Sequence, residues 1–396
     1  MRYAPVTDHL AKLGGAKWEI HARARAMKAA GKPVIELTIG EPDVATPVEL
    51  IDAATHAMHK GRTGYSNGGR GEPALLQALA ARYSQRLGRH FGPDRVMCLP
   101  GTQTVLFAVM KALVGPDDEV LLGDPMYATY EGLIAATGAR AVPVPLRPEH
   151  GFRMQAADVA ARITPRTRIL FLNSPHNPTG AVLRRAEIDA LAQLAIEHDL
   201  WIVSDEVYED LVYDGVEFIS PLENPALEDR VVVASSISKS HAAPGFRSGW
   251  CVGPAEFCAR LLPLSETMLF GSQPFIADMT ALAVSQPSPV AAGMAARYAA
   301  RAMIIVTKLD GVAGLRVHRP EAGMFALIDV RATGLSGGAF ADALLDETGV
   351  AVMPGESFGE VLSGWLRVSL TQPDAATASA CDRIAGFAAR RIGAAA

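Results

Sequence analysis

The chain is poor in cysteine, has no surplus of positive charge and contains no long apolar run. Its four cysteines, Cys98, Cys251, Cys258 and Cys381, are too few for a disulfide framework and show no CxxC spacing, so neither a zinc site nor dithiol redox chemistry is indicated. Reduced thiols in a reducing compartment are the simpler reading. Lys plus Arg number 37 against 42 acidic residues, a formal net charge of −5. The bulk attraction that draws proteins to nucleic acid or anionic membrane is therefore missing, and neither is expected as a partner. No stretch reaches the roughly 18 uninterrupted apolar residues of a transmembrane helix, and the N-terminus MRYAPVTDHLAKLGG lacks a signal peptide's apolar core. A cytoplasmic location is expected. Fixed-period repeats are absent too, and the Ala-rich C-terminus is the one biased tract.

What is present is ordinary globular composition: 396 residues, 49% hydrophobic and 20% charged, which excludes disorder, collagen and coiled coil. That length exceeds one hydrophobic core and predicts two domains. From about Thr46 short β-rich runs alternate with helical patterns. The runs are 119–122, 141–144, 168–172, 201–204, 231–234 and 250–252. Several are apolar without alternation, as strands buried on both faces require. Helical segments at 102–114, 186–198 and 254–262 lie between them, so the spacing predicts an α/β fold with a parallel sheet and right-handed crossovers. Near residue 290 the rhythm changes. A long helix over 291–309, strands at 325–329, 350–353 and 365–370, a helix over 339–347 and a last helix from Ala375 predict a smaller α+β block.

In open parallel sheets ligands bind beyond the carboxyl ends of the strands, so the residues there carry the chemistry. Gly101-Thr102-Gln103 opens an apolar-periodic helix and offers free backbone N–H groups suited to a phosphate, although a plain helix cap reads the same way. Asn177 sits in Asn173-Ser-Pro-His-Asn-Pro-Thr-Gly180, where a simple turn is the bland reading. Asp205, in Asp205-Glu-Val-Tyr208, puts a carboxylate at a buried strand end, where it is either a helix cap or a paired charge. Lys239, in Ser236-Ile-Ser-Lys239, stands among hydroxyls with Arg247 nearby, either as an amine nucleophile or as a solvated loop lysine. Taken together they meet the needs of pyridoxal phosphate, namely a Schiff-base lysine, a carboxylate for the pyridine nitrogen and a phosphate anchor. Tyr127, in Asp124-Pro-Met-Tyr127, offers an aromatic face for the ring.

With Gly40-Glu-Pro-Asp43, Asn177-Pro-Thr-Gly180, Asp205-Glu-Val-Tyr208 and Ser236-Ile-Ser-Lys239 followed by Gly245-Phe-Arg247-Ser-Gly-Trp250, the sequence resembles the class I/II, aspartate-aminotransferase-like aminotransferases (fold type I). The motifs occur in order over nearly the whole chain. The lysine segment is the most specific, with Lys239 and Arg247 eight positions apart. The resemblance implies a seven-stranded, mostly parallel large sheet covered by helices, and pyridoxal 5'-phosphate as cofactor without a metal. It also implies a homodimer with active sites at the subunit interface. It divides the chain into 1–45, packing with the small domain, 46–290 as the large cofactor-binding domain and 291–396 as the small domain.

Carried over, Lys239 is the Schiff-base lysine and Asp205 pairs with the pyridine nitrogen. Asn177 and Tyr208 reach the ring hydroxyl, and Tyr127 covers the ring. Gly101, Thr102, Gln103, Ser236, Ser238 and Arg247 surround the phosphate, with Tyr65 reaching it from the partner subunit. Arg367, in Gly364-Trp-Leu-Arg367, holds the substrate carboxylate bidentately beside Gly40, Asn177 and Tyr127. Lys239, Asp205 and Tyr208 form the implied catalytic set. The implied reaction is ping-pong transfer of an amino group between an L-amino acid and a 2-oxo acid. A C–S β-lyase on the same fold uses the same lysine, aspartate and arginine. A cofactor-sensing module normally carries a fused DNA-binding domain, and no basic N-terminal extension of that size is present.

Three departures from the family pattern stand out. The turn Ser66-Asn-Gly-Gly-Arg-Gly71 is one residue longer than expected. Leu76 replaces a frequent arginine. Gln103 stands where some relatives selecting acidic substrates place lysine, so aspartate specificity is not predicted. Arg70 and Arg23 are the remaining candidates for such a cation, and both read as surface charges.

Overall fold

The computed structural model describes residues 2–14, 16–66 and 68–395, which leaves Asn67 of the Ser66–Gly71 turn outside the described residues. The strands are β1 (Ile35–Glu36), β2 (Val96–Leu99), β3 (Glu119–Asp124), β4 (Arg140–Pro145), β5 (Thr167–Asn173), β6 (Trp201–Asp205), β7 (Val231–Ser236), β8 (Gly249–Val252), β9 (Arg316–His318), β10 (Phe325–Asp329), β11 (Val350–Ala351), β12 (Met353–Pro354) and β13 (Trp365–Ser369).

The large sheet has seven strands in the order β2-β8-β7-β6-β5-β3-β4. Strands β7, β6, β5, β3 and β4 run parallel, as the apolar runs predict. Every residue of β3 and of β7 is buried, because helices cover both faces. The exception is β8, antiparallel to both β7 and β2. Because β8 is reversed, β2 points the same way as the parallel set. The carboxyl ends of β2, β3, β5, β6 and β7 therefore meet at one edge. Asn173 is in register with Asp205, and Asp205 with Ala234. This places the segments following residues 99, 124, 173, 205 and 236 side by side.

The smaller block holds a four-stranded antiparallel sheet, β12-β13-β10-β9. Its helices are Ala291–Leu309 and Asp374–Ala395. Arg367 lies mid-strand in β13, opposite Leu327 of β10 and Met353 of β12. The single strand expected over 350–353 is in fact two. Val350–Ala351 pairs in parallel with Ile35–Glu36, whereas Met353–Pro354 pairs with Arg367 and Leu366 in the other sheet. The chain changes sheets at Val352. A second boundary also differs. The helix expected to stop at Leu262 continues through Pro263 to Leu269. Proline removes one donor there, and the turns on either side keep their packed face.

The N-terminal stretch touches both blocks. Asp43 accepts hydrogen bonds from Arg297, Arg301 and Tyr298, all on the helix Ala291–Leu309. Burial works to raise the Asp43 pKa, but these donors prevail and hold it near about 2. Lys17 reaches the other block, donating to Glu131 at 3.0 Å.

Candidate active site

At the shared strand edge a cleft of about 260 Å³ opens. It is lined by the sequence-predicted residues Gly40, Thr102, Gln103, Tyr127, Asn177, Asp205, Tyr208, Ser236, Ser238, Lys239, Arg247 and Arg367. Gly101 lies directly beneath, against Arg247. Tyr65 does not line it. That side chain is 83% exposed and stacks edge-on against Phe270 at 5.2 Å.

Lys239 follows the end of β7 in the short helix Ile237–Ser240, capped by Ser236, whose hydroxyl accepts from the Ser238 amide. Its Nζ donates to the Gly40 carbonyl at 2.6 Å. A Cβ at Gly40 would collide with the Phe325 ring, so glycine lets this segment pack against that ring. Burial pushes the Lys239 amine down to about 8, with Arg367 and Arg247 helping and the Glu41 carboxylate opposing. The amine thus loses its proton far more readily than an exposed lysine.

Asp205 ends β6, only 4% exposed. The sequence reading missed its partner. Tyr130 donates its hydroxyl to Asp205 Oδ2 at 2.7 Å, and the Val207 amide donates to Oδ1 at 3.1 Å. Burial pushes the Asp205 carboxyl up to about 6, and these two donors limit the rise. A carboxylate at a buried strand end needs such donors, and that requirement is the one signal that could have pointed to Tyr130. Tyr127 packs edge-on against Tyr130 at 5.5 Å and faces the cleft.

At the phosphate-type end, Gly101 adopts φ +80 and begins the helix Gly101–Leu113. A Cβ on Gly101 would strike the Arg247 guanidinium, so glycine is what lets that cation lie over the helix start. Arg247 itself is left-handed at φ 50 and donates to the Pro244 carbonyl at 2.8 Å. Thr102 Oγ1 is buried with no hydrogen-bond partner. A cation, free helix-terminal amides, the Ser236 and Ser238 hydroxyls and an orphaned hydroxyl together fit an anionic phosphate.

Arg367 is 2% exposed. Its Nη2 donates to the Thr38 carbonyl at 2.6 Å and its Nη1 to Asn177 Oδ1 at 3.2 Å. Phe325 and Phe358 flank the guanidinium at 3.9 and 4.3 Å. Its Nε is buried without a partner, and no carboxylate pairs with it among the described residues. Burial pushes its pKa down to about 10. Asn177 and Tyr208 line the cleft together. Neither Arg70 nor Arg23 takes part. Arg70 donates to the Asp94 carbonyl, and Arg23 pairs with Asp342 and Asp346. The cleft wall also includes Trp18, Ile39, Leu106, Val207, Pro244 and Phe325, which sequence reasoning did not place there.

Comparison with known proteins agrees with this geometry. Residues 32–384 match the family described as aminotransferase class I and II. Arginine–pyruvate transaminase AruH of Pseudomonas aeruginosa is 46% identical over 99% of this chain and 100% of its own. Aspartate/prephenate aminotransferase of Cereibacter sphaeroides is 34% identical over 93% of this chain and 94% of its own. The crystal structure of the aspartate aminotransferase from Rhizobium meliloti superposes with a TM-score of 0.93 at 30% identity, covering 98% of this chain and 99% of that one. The chain belongs to the class I and II aminotransferases and is a pyridoxal-phosphate-dependent transaminase with the aspartate aminotransferase fold.

Proposed function

We propose that this transaminase takes L-arginine as donor and pyruvate as acceptor, with the cleft residues divided as follows. Asp205 faces the pyridine nitrogen, Tyr130 keeps Asp205 ionised, and Asn177 and Tyr208 hold the ring hydroxyl. Tyr127 lies on the ring face. Gly101, Thr102, Gln103, Ser236, Ser238 and Arg247 surround the phosphate, with Tyr65 supplied by a second copy in a homodimer. Arg367, with Gly40 and Asn177 beside it, holds the α-carboxylate of donor and acceptor alike. Residues 1–45 and 291–396 close as one body over 46–290. The enzyme works in the cytoplasm.

Pyridoxal phosphate, when bound, supplies the electron sink that lets a Cα proton leave. Lys239 Nζ would take up that proton and give it back on the cofactor side, a role suited to an amine depressed to about 8. Arg367 fixes the carboxylate so that Cα faces Nζ, and its distance from solvent strengthens that grip. The amino group is retained until a second oxo acid accepts it, so the kinetics are ping-pong.

The observation carrying this reading is a buried, acid-free guanidinium, Arg367, sharing one cleft with a depressed lysine. The choice of arginine and pyruvate rests on the 46% identity to AruH and on the cleft's having, among the described residues, no cation beyond Lys239, Arg247 and Arg367. Supplying both to the holoenzyme should yield alanine and the oxo acid of arginine. Release of ammonia and pyruvate from an amino acid without any oxo acid would instead indicate β-elimination.

A further inference from the structure

The shortest hydrogen bond of Arg367 runs to a backbone carbonyl. Thr38 O lies 2.6 Å from Nη2, against 3.2 Å from Nη1 to Asn177 Oδ1. Thr38 is fully buried, and its side chain enters a polar cluster that the cleft does not touch. Its Oγ1 lies 2.9 Å from His21 Nδ1 and donates to Glu36 Oε1 at 3.3 Å. His21 Nδ1 also lies 3.1 Å from Glu36 Oε1. An ionised carboxylate can only accept, so the facing proton sits on Nδ1. Thr38 Oγ1 then accepts from the ring and donates to the acid. His21 belongs to the helix Glu19–Ala29 and Glu36 to β1, so a helix and a strand clamp one hydroxyl between them.

The neighbouring backbone carries this clamp to the site. Leu37 is fixed by backbone bonds, its amide to the Ala351 carbonyl and its carbonyl to the Ser369 amide of β13. From Thr38 onward the chain turns its carbonyls to side chains. Thr38 accepts from Arg367, Ile39 from Thr371 and Gly40 from Lys239. The Thr38 hydroxyl therefore anchors the very residue whose carbonyl meets the guanidinium. A peptide plane free to rock there would loosen the short bond to Nη2, and the fork would lose the orientation that bidentate carboxylate binding needs. Since neither His21, Glu36 nor Thr38 lines the cleft, the cluster acts through what it positions.

We infer that His21 and Glu36 are positioning residues, acting through the Thr38 hydroxyl to aim the Arg367 guanidinium at the α-carboxylate. This rests on the carboxylate-holding role proposed above for Arg367 and adds the residues that support it.

The test uses holoenzyme carrying His21→Ala, Glu36→Ala, Thr38→Val or Thr38→Ser, and His21→Ala combined with Arg367→Met. The first three should each raise the KM for L-arginine, L-alanine and pyruvate by a common factor of about fivefold, because all three ligands present the same carboxylate. Their kcat should stay within about twofold of wild type, since uniform binding is what is lost. Thr38→Ser keeps the hydroxyl and should restore most of the affinity. Calorimetric binding of pyruvate to the holoenzyme reads the same loss without turnover. The double variant locates its cause. With no guanidinium left to aim, adding His21→Ala to Arg367→Met should leave the single-turnover second-order rate constant for L-arginine within about twofold. The same drop in that background as in wild type would make His21 a merely structural residue and overturn the inference. So would wild-type KM values in Thr38→Val. Wild-type affinity for pyruvate in Arg367→Met would instead overturn the carboxylate assignment on which the inference rests.

Discussion

Arg367 offers a prediction in which stability and function move in opposite directions. Burial without an acid partner depresses its pKa to about 10. At about 1.4 kcal/mol per tenfold change in acidity, the charged guanidinium costs the unliganded fold roughly 3 kcal/mol relative to water. Arg367→Met removes that cost. It leaves the Thr38 carbonyl and Asn177 Oδ1 without their donor, at about 1 kcal/mol each. The net expectation is a gain of about 1 kcal/mol, a rise in Tm on the order of 1–2 °C in a protein this large.

Ligand reverses the order. Two charge-assisted hydrogen bonds to a carboxylate contribute roughly 3 kcal/mol, so the variant should bind a 2-oxo acid about a hundredfold more weakly. A concentration one hundred times the wild-type Kd stabilises wild type by about 2.7 kcal/mol, and the variant by only about 0.4. Differential scanning calorimetry with and without the oxo acid reads both effects. A variant that melts several degrees lower without ligand would mean that Arg367 braces β13 and does not await substrate. A variant that keeps the full ligand-induced rise would place the carboxylate elsewhere.

Three further outcomes follow from the cleft. Gly101→Ala forces a Cβ into the Arg247 guanidinium at a backbone angle of φ +80 and should weaken cofactor binding at least tenfold by fluorescence titration, while leaving far-UV circular dichroism unchanged. Tyr130→Phe removes a donor to the charged form of Asp205, so the Asp205 pKa rises further above about 6 and the acid limb of kcat/KM moves up by about one pH unit or more. An unmoved limb would mean that Tyr130 does not tune this carboxylate. In the cofactor-free enzyme the Lys239 amine titrates near about 8, below its unfolded value of ~10.4. Between these the unfolded chain binds the extra proton, so stability gains with rising pH, by roughly 3 kcal/mol over the window. Comparing Lys239→Met with wild type by thermal melts at pH 7 and pH 10 isolates that gain, and the pH-dependent difference should vanish in the variant.

The parts legible in the sequence were those fixed locally. Residues 231–234 and 201–204 were readable as strands because burial on both faces demands unbroken apolar runs. The chemistry at their ends followed from the rule that ligands sit beyond parallel strands. What escaped depended on partners distant in the chain. Tyr130 meets Asp205 across 75 residues, and nothing near either residue announces the other. The break at Val352 escaped because apolar pattern gives strand character and not the sheet to which each half belongs. Pro263 marked a helix end locally, and packing carried the helix past it.

The central claim is that Lys239 holds the cofactor and moves the proton. Borohydride reduction of the holoenzyme followed by peptide mapping tests it most directly. The account predicts one cofactor equivalent fixed to Lys239, with Lys239→Ala losing both that label and essentially all turnover. A label on another lysine, or full activity in Lys239→Ala, would contradict it.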